Sequence, residues 1–133
     1  IALSYIKSNC DKLKIDFDML NNIDIHLHVP EGAVKKEGPS AGIAITTALI
    51  SALKNKQISS YLALTGEITL RGNILPVGKI KEKIIGASNN NIKKVILPKE
   101  NEKDVEVLDE VIKKNIKFVY VSNYEEVLKE IKL

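Results

Sequence analysis

The chain has no tryptophan, and aromatic residues make up only 5% of its 133 positions. Its core must therefore be filled mostly by aliphatic side chains, within one globular domain spanning 1–133. There is one cysteine, Cys10, so no internal disulfide can form and a reducing compartment is expected. Cys10 lies on the stripe Leu3, Ile6, Cys10, Leu13, which has helical spacing, and reads as a small buried hydrophobe. Arginine is nearly absent too: of 20 basic residues only Arg71 is an arginine. The net charge is +3, with both signs interspersed. Nucleic-acid surfaces cluster charge on one face and favour arginine forks, so direct nucleic-acid binding is not expected. No apolar run approaches the ~18 residues of a membrane span, and no signal-peptide pattern opens the chain, so no membrane association is expected. The only histidines are His26 and His28. A zinc site would need a third protein ligand, so the pair reads as an outward-facing polar stripe and no metal is expected. The chain opens inside an amphipathic helix without an initiating methionine, as a piece of a longer protein would.

The order of elements follows from periodicity. Residues 2 to about 13 predict a helix, ending before a polar turn at Asn21-Asn22. Ile23 to Val29 alternates apolar and polar side chains, the pattern of a strand with one buried face. Ile43 to Leu53 is apolar or small on nearly every side and predicts a buried central helix. Tyr61 to Thr65 predicts a short buried strand, and Thr69 to Leu75 a hairpin turning at Arg71-Gly72-Asn73. A helix is expected from about Lys79 to Asn89. The last third alternates the strand Val95-Ile96-Leu97, a helix with stripe Val105, Leu108, Val111, Ile112, the strand Phe118 to Val121, and a final helix. That order argues a parallel strand pair. Ser122 and Glu125 have capping-box spacing for the final helix. Asp109/Lys113, Glu110/Lys114 and Glu125/Lys129 are favourable i,i+4 pairs on solvated faces.

The chemistry centres on Gly38-Pro39-Ser40-Ala41-Gly42. Pro39 stiffens the loop, and Gly38 and Gly42 leave room for another backbone to approach. Ser40 is thereby offered at the start of the central helix, a place for a nucleophile or a phosphate. The run matches the G-x-S-x-G elbow of α/β-hydrolases, but that fold needs its histidine after the serine, and both histidines here precede it. A lysine kept neutral by burial can activate serine instead. On the helix from 79 to 89 the apolar face is Ile80, Ile84 and Ala87. Lys81 and Lys83 fall on its two margins, each roughly 80° from the centre, so the helical wheel does not choose between them. Backbone N–H groups around Ser40 are candidate oxyanion donors. A phosphate-binding reading, loosely like small-molecule kinases with a G-L-G-S-S-A loop, uses the same residues, although the Walker pattern is absent. A third reading is an assembly module that keeps the fold without the chemistry.

Several motifs agree in order and spacing with one family. His28-Val29-Pro30-Glu31-Gly32-Ala33, Gly38-Pro39-Ser40-Ala41-Gly42, Thr65-Gly66-Glu67-Ile68-Thr69-Leu70-Arg71-Gly72, Leu75-Pro76-Val77-Gly78 and Lys81-Glu82-Lys83 closely resemble the proteolytic domain of Lon, the ATP-dependent serine protease, in its bacterial and mitochondrial form. The resemblance runs from the first helix to the end of the chain. It implies a serine endopeptidase with a Ser–Lys dyad, Ser40 as nucleophile and Lys83, the second lysine of the triplet, as its partner. Thr65 is expected to hydrogen-bond and orient that lysine, and Glu37 to help shape the substrate groove. The implied fold is α+β, similar to the ribosomal protein S5 domain 2-like fold. The family's first strands and its ATPase module are absent from this sequence, so an N-terminally truncated and weakly active or inactive fragment is expected. No cofactor is expected in this domain; ATP and Mg belong to the ATPase module. The expected partners are unfolded or misfolded polypeptide substrates and other copies of the chain in a hexameric ring. The expected location is the cytoplasm, or the mitochondrial matrix in a eukaryote. One departure stands out: the family usually has Gly-Gly before the lysine helix, and here it is Gly78-Lys79, which adds a positive charge near Lys83 and should lower that lysine's pKa.

Overall fold

The structure, a computed structural model, describes residues 1–29 and 38–133. Residues 30–37, including the Glu31-Gly32-Ala33 motif and Glu37, lie outside the described residues. The first expected helix is two: α1 (Ala2–Ser8) and α2 (Cys10–Leu13). They part at Asn9, whose backbone leaves helical geometry (φ −126°) while its side-chain amide donates to Tyr5 O at 2.8 Å. Asparagine competes for backbone in this way, so it breaks a stripe that periodicity alone would carry through. Ile6, Cys10 and Leu13 are buried as the stripe requires, and burial pushes the Cys10 thiol up. A further helix, α3 (Phe17–Asn21), was not anticipated; the Asp16 carboxylate caps it by accepting from the N–H groups of Asp18 and Met19.

Ile23 to Val29 does not form the expected strand. Residues 24–29 run without regular secondary structure, and Ile23, Ile25, Leu27 and Val29 are 38–52% exposed. Alternation selects a face, but a strand also needs a neighbour to take its N–H and C=O groups, and no ladder reaches this segment among the described residues.

The central helix is α4 (Gly42–Lys54), closed by Asn55 in the left-handed conformation. Ile43, Thr46, Thr47 and Ile50 are buried, whereas Ala48 and Ala52 are exposed, so one side of α4 reaches the surface rather than every side being covered. Its two buried threonines are satisfied internally, Thr46 donating to Gly42 O at 2.8 Å and Thr47 to Ile43 O at 2.7 Å.

Beyond α4 come β1 (Leu62–Leu64), β2 (Glu67–Ile68), β3 (Ile74–Leu75), α5 (Ile80–Asn89), β4 (Lys94–Pro98), a 3-10 turn (Lys99–Asn101), α6 (Glu102–Glu106), α7 (Glu110–Lys113), β5 (Lys117–Val121) and α8 (Tyr124–Ile131). Strands β1, β4 and β5 form a parallel sheet in the order β1-β4-β5, with Leu64 opposite Ile96 and Ile96 opposite Val119. The uninterrupted run Val95-Ile96-Leu97 is explained by this position: β4 is central and covered on both faces. Ile96 faces a core shared with α1, α4 and α8, while Val95 and Leu97 face a second core with Ile80, Ile84, Ala87 and Val105. β1 is an edge strand and only half-buried.

The hairpin is present one step earlier than expected: β2 pairs antiparallel with β3, Ile68 opposite Ile74. Gly72 takes the left-handed turn position (φ +85°), and a Cβ there would lie 2.7 Å from Tyr5 Cε2, so the turn sits directly on α1. The single helix expected through Val105 and Ile112 is interrupted. Asp109 is extended (ψ 140°) between α6 and α7, and Val111 is 82% exposed. The cap of α8 is Asn123 rather than Ser122, with Glu126 N–H donating to Asn123 Oδ1 at 3.1 Å and the Glu126 carboxylate accepting from Ser122 N–H. Of the charged groups on these helices, Glu110 pairs with Lys113 and Glu125 crosses to Lys12, each at 3.1 Å. A buried hydrogen bond of 2.7 Å between Thr47 and Tyr124 joins α4 to α8. Among the described residues no helix is long and apolar enough to cross a membrane.

Candidate active site

Ser40 sits in the turn before α4, and its backbone is anchored to the end of β1. Its carbonyl accepts from Gly66 N–H at 2.9 Å and from Thr65 Oγ1 at 3.3 Å, and Ile43 N–H donates back to Gly66 O at 3.1 Å. Thr65 N–H in turn donates to Ile96 O at 3.0 Å, so the serine loop is tied through two residues to the central strand. The approach depends on Gly42. A Cβ there would lie 3.1 Å from Ile68 N and 3.3 Å from Gly66 O, contacts that only a missing side chain avoids. The expectation of close backbone approach at Gly42 is met. Gly38 holds a positive φ of 81° with nothing near its missing Cβ, so there glycine serves the turn itself.

Lys83 stands one turn into α5, its N–H donating to Lys79 O at 3.1 Å. Ile80, Ile84 and Ala87 anchor the helix in the second core, which leaves Lys81 exposed and Lys83 half-buried on cavity walls it shares with Ser40. Ser40 and Lys83 together line two adjoining cavities. One, of about 400 Å³, is walled by Ala41, Ala44, Ala63, Thr65 and Ile84. The other, of about 330 Å³, is walled by Glu67, Pro76, Val77 and Lys79. Lys81 lines neither. Burial first, and the Lys79 charge second, hold the Lys83 ammonium below the usual lysine range. Lys79 itself adopts the left-handed conformation (φ 58°) where a glycine would be unstrained.

One expected contact is not formed: among the described residues Thr65 makes no hydrogen bond to Lys83, and its hydroxyl donates to the Ser40 carbonyl at 3.3 Å, although both side chains line the same cavity. Of the backbone N–H groups around Ser40, those of Gly42 and Ile43 already donate to Pro39 O and Gly66 O, which narrows the candidate oxyanion donors to the N–H groups nearer the serine itself. Among the described residues Ser40 and Lys83 share cavity walls without a hydrogen bond between their side chains. Glu37 lies outside the described residues. His26 and His28 are exposed in the unpaired segment.

One residue at this site escaped the sequence. Asn101, at the end of the turn after β4, is 3% exposed and reaches across to Val77 on the cavity wall. An asparagine just before a helix reads as a cap, and nothing in its neighbours announces a partner 24 residues away.

Helices on both faces of a small parallel sheet, a separate antiparallel pair, and a glycine-flanked serine sharing cavity walls with a half-buried lysine define a hydrolase-like α+β domain. The sequence model for the Lon protease (S16) C-terminal proteolytic domain matches residues 1–133, and the chain belongs to that family. It is 52% identical over 130 residues to a Lon protease of Porphyromonas gingivalis, covering 98% of this chain and 15% of that protein. The Lon protease of Metamycoplasma arthritidis is 52% identical over 132 residues (98% and 16%), and that of Bacillus thuringiensis 53% over 127 residues (96% and 16%). The chain thus spans about one-sixth of the length of these curated relatives.

Proposed function

We propose that this chain is the proteolytic part of an ATP-dependent serine endopeptidase that cleaves unfolded or misfolded polypeptides, with Ser40 as nucleophile and Lys83 as its general base and acid. What carries the reading is that Ser40 and a half-buried Lys83 face the same cavities. Neutral Lys83 takes the Ser40 proton as Oγ attacks the scissile carbonyl, and the resulting ammonium returns that proton to the leaving amine. Water then attacks the acyl-enzyme ester as Lys83 removes its proton, and Lys83 returns that proton to Ser40 Oγ as the ester bond breaks, which frees the acid product and restores the serine hydroxyl and the neutral lysine. Burial and the neighbouring Lys79 charge supply what the base needs, because both disfavour the ammonium. The alanine- and isoleucine-lined cavity suits an apolar substrate side chain beside the scissile bond.

In this reading ATP and Mg act in a separate part of the complete protein, which feeds substrate to a ring of six proteolytic domains in the cytoplasm, or in the mitochondrial matrix of a eukaryote. The domain is an S5 domain 2-like fold. Replacing Ser40 with alanine in the complete protein abolishes peptide cleavage while sparing ATP hydrolysis; proteolysis that survives the substitution refutes the assignment.

A further inference from the structure

One wall of the smaller cavity, the one that Ser40 and Lys83 line with Glu67, is an irregular segment, Pro76 to Lys79, between the end of β3 and the start of α5. Beyond Leu75 it has no ladder partner, and Pro76 has no N–H to offer one. Yet Val77 is held at both of its backbone groups. Its N–H donates to Asn101 Oδ1 at 2.9 Å, and its carbonyl accepts from Asn101 Nδ2 at 2.9 Å. The second Nδ2 hydrogen goes to Asp104 Oδ2 at 2.7 Å. These three contacts fix the orientation of the amide. Turned over, it would set an NH₂ against the Val77 N–H and an oxygen against both a carbonyl and a carboxylate. The side chain therefore does for Val77 what a neighbouring strand would do, and it does so while nearly fully buried.

We propose that Asn101 is a positioning residue for the Ser40–Lys83 site: its amide clamps Val77, and so fixes both the cavity wall and the entry of α5, with Asp104 locking the amide. This rests on the peptidase reading of that site. The path is short and continuous. Val77 is two residues before Lys79, which caps α5, and Lys83 N–H donates to the Lys79 carbonyl. Lys79 is held in a left-handed conformation, so a loosened Val77 lets the cap relax and carries the first turn, and with it Lys83, away from Ser40.

The test is made in the complete protein, with Asn101→Ala, Asn101→Asp and the exchange Asn101→Asp/Asp104→Asn. Cleavage of a fluorogenic peptide gives kcat, KM and the pH profile of kcat/KM, each per molecule shown to be folded by circular dichroism. Covalent labelling of Ser40 by a fluorophosphonate is followed in the wild type. Asn101→Ala and Asn101→Asp are expected to lower kcat per folded molecule by about ten- to a hundredfold, the scale of a small misplacement of a reacting group, and to displace the acid limb of the pH profile. The exchange, which returns a donor to the pair and removes the carboxylate clash, is expected to recover part of kcat. If Asn101→Ala does not fold, the isosteric Asn101→Asp and the exchange decide. Variants that lose thermal stability but keep wild-type kcat and pH profile per folded molecule overturn the proposal, leaving Asn101 a structural residue. A wild type that neither labels at Ser40 nor cleaves overturns the peptidase reading instead.

Discussion

Replacing Tyr124 with phenylalanine removes one buried hydroxyl, and the structure says how little that should cost compared with the opposite deletion. Thr47 Oγ1 lies 2.7 Å from both Ile43 O and Tyr124 Oη. A hydroxyl has one hydrogen, and the Ile43 carbonyl can only accept, so Thr47 donates to Ile43 and Tyr124 donates to Thr47. Burial holds the Tyr124 phenol well above its usual range, so it remains a donor wherever the protein is folded. Tyr124→Phe therefore deletes a donor and orphans none, costing about 1 kcal/mol, the net worth of one hydrogen bond. Thr47→Val leaves a fully buried phenol O–H without its acceptor, at about 1–3 kcal/mol on top of the lost bond. With an unfolding entropy of about 2.1 cal/mol/K per residue, 1 kcal/mol is about 3–4 °C in Tm for a chain of this length. Thermal unfolding of the 133-residue chain, followed by circular dichroism, should thus show a drop of about 3–4 °C for Tyr124→Phe and roughly twice that or more for Thr47→Val. The double variant should be no worse than Thr47→Val alone. A Tyr124→Phe protein as destabilised as Thr47→Val would show that the donor direction is wrong.

Two further substitutions probe the site. Lys79→Gly places a glycine where φ is 58° and removes the like charge beside Lys83. The fold is kept, the Lys83 pKa rises towards the ordinary lysine range, and less of the base is neutral at a given pH. The acid limb of the kcat/KM profile for peptide cleavage moves to higher pH; an unmoved limb refutes the electrostatic link. Gly42→Ala drives a Cβ into the backbone of Gly66 and Ile68, which cannot yield as a flexible side chain would. It should cost about 1–3 kcal/mol by chemical denaturation and reduce peptide cleavage as well, because the same contact places Ser40.

What could be read in the sequence was what local chemistry decides. The run Val95-Ile96-Leu97 announces a strand buried on both faces, Gly72 a tight turn, and Ile80, Ile84 and Ala87 the buried side of α5. Features that depend on a distant partner were not legible. Alternation in Ile23 to Val29 marks a face but supplies no neighbouring strand. Asn9 and Asp109 interrupt apolar stripes by local backbone changes that the stripes do not encode. The α8 cap moved by one residue because Asn123 and Glu126 outcompete the pair expected at Ser122 and Glu125. At the site, the glycine-flanked serine was legible from its loop. The choice between Lys81 and Lys83 was not, since both lie at the edge of one apolar face and only the packing of α5 against the sheet leaves one of them on cavity walls shared with Ser40. Thr65 and Asn101 show the same limit: each side chain serves a backbone group far away in sequence.

The proposed dyad is tested most directly by the rate at which a fluorophosphonate labels Ser40 in the complete protein, with the modified peptide located by mass spectrometry, in the wild type, Lys83→Met and Lys81→Met. The prediction is a single adduct on Ser40, formed at wild-type rate in Lys81→Met and lost in Lys83→Met. An adduct on another residue, or labelling that survives Lys83→Met and fails in Lys81→Met, would contradict it.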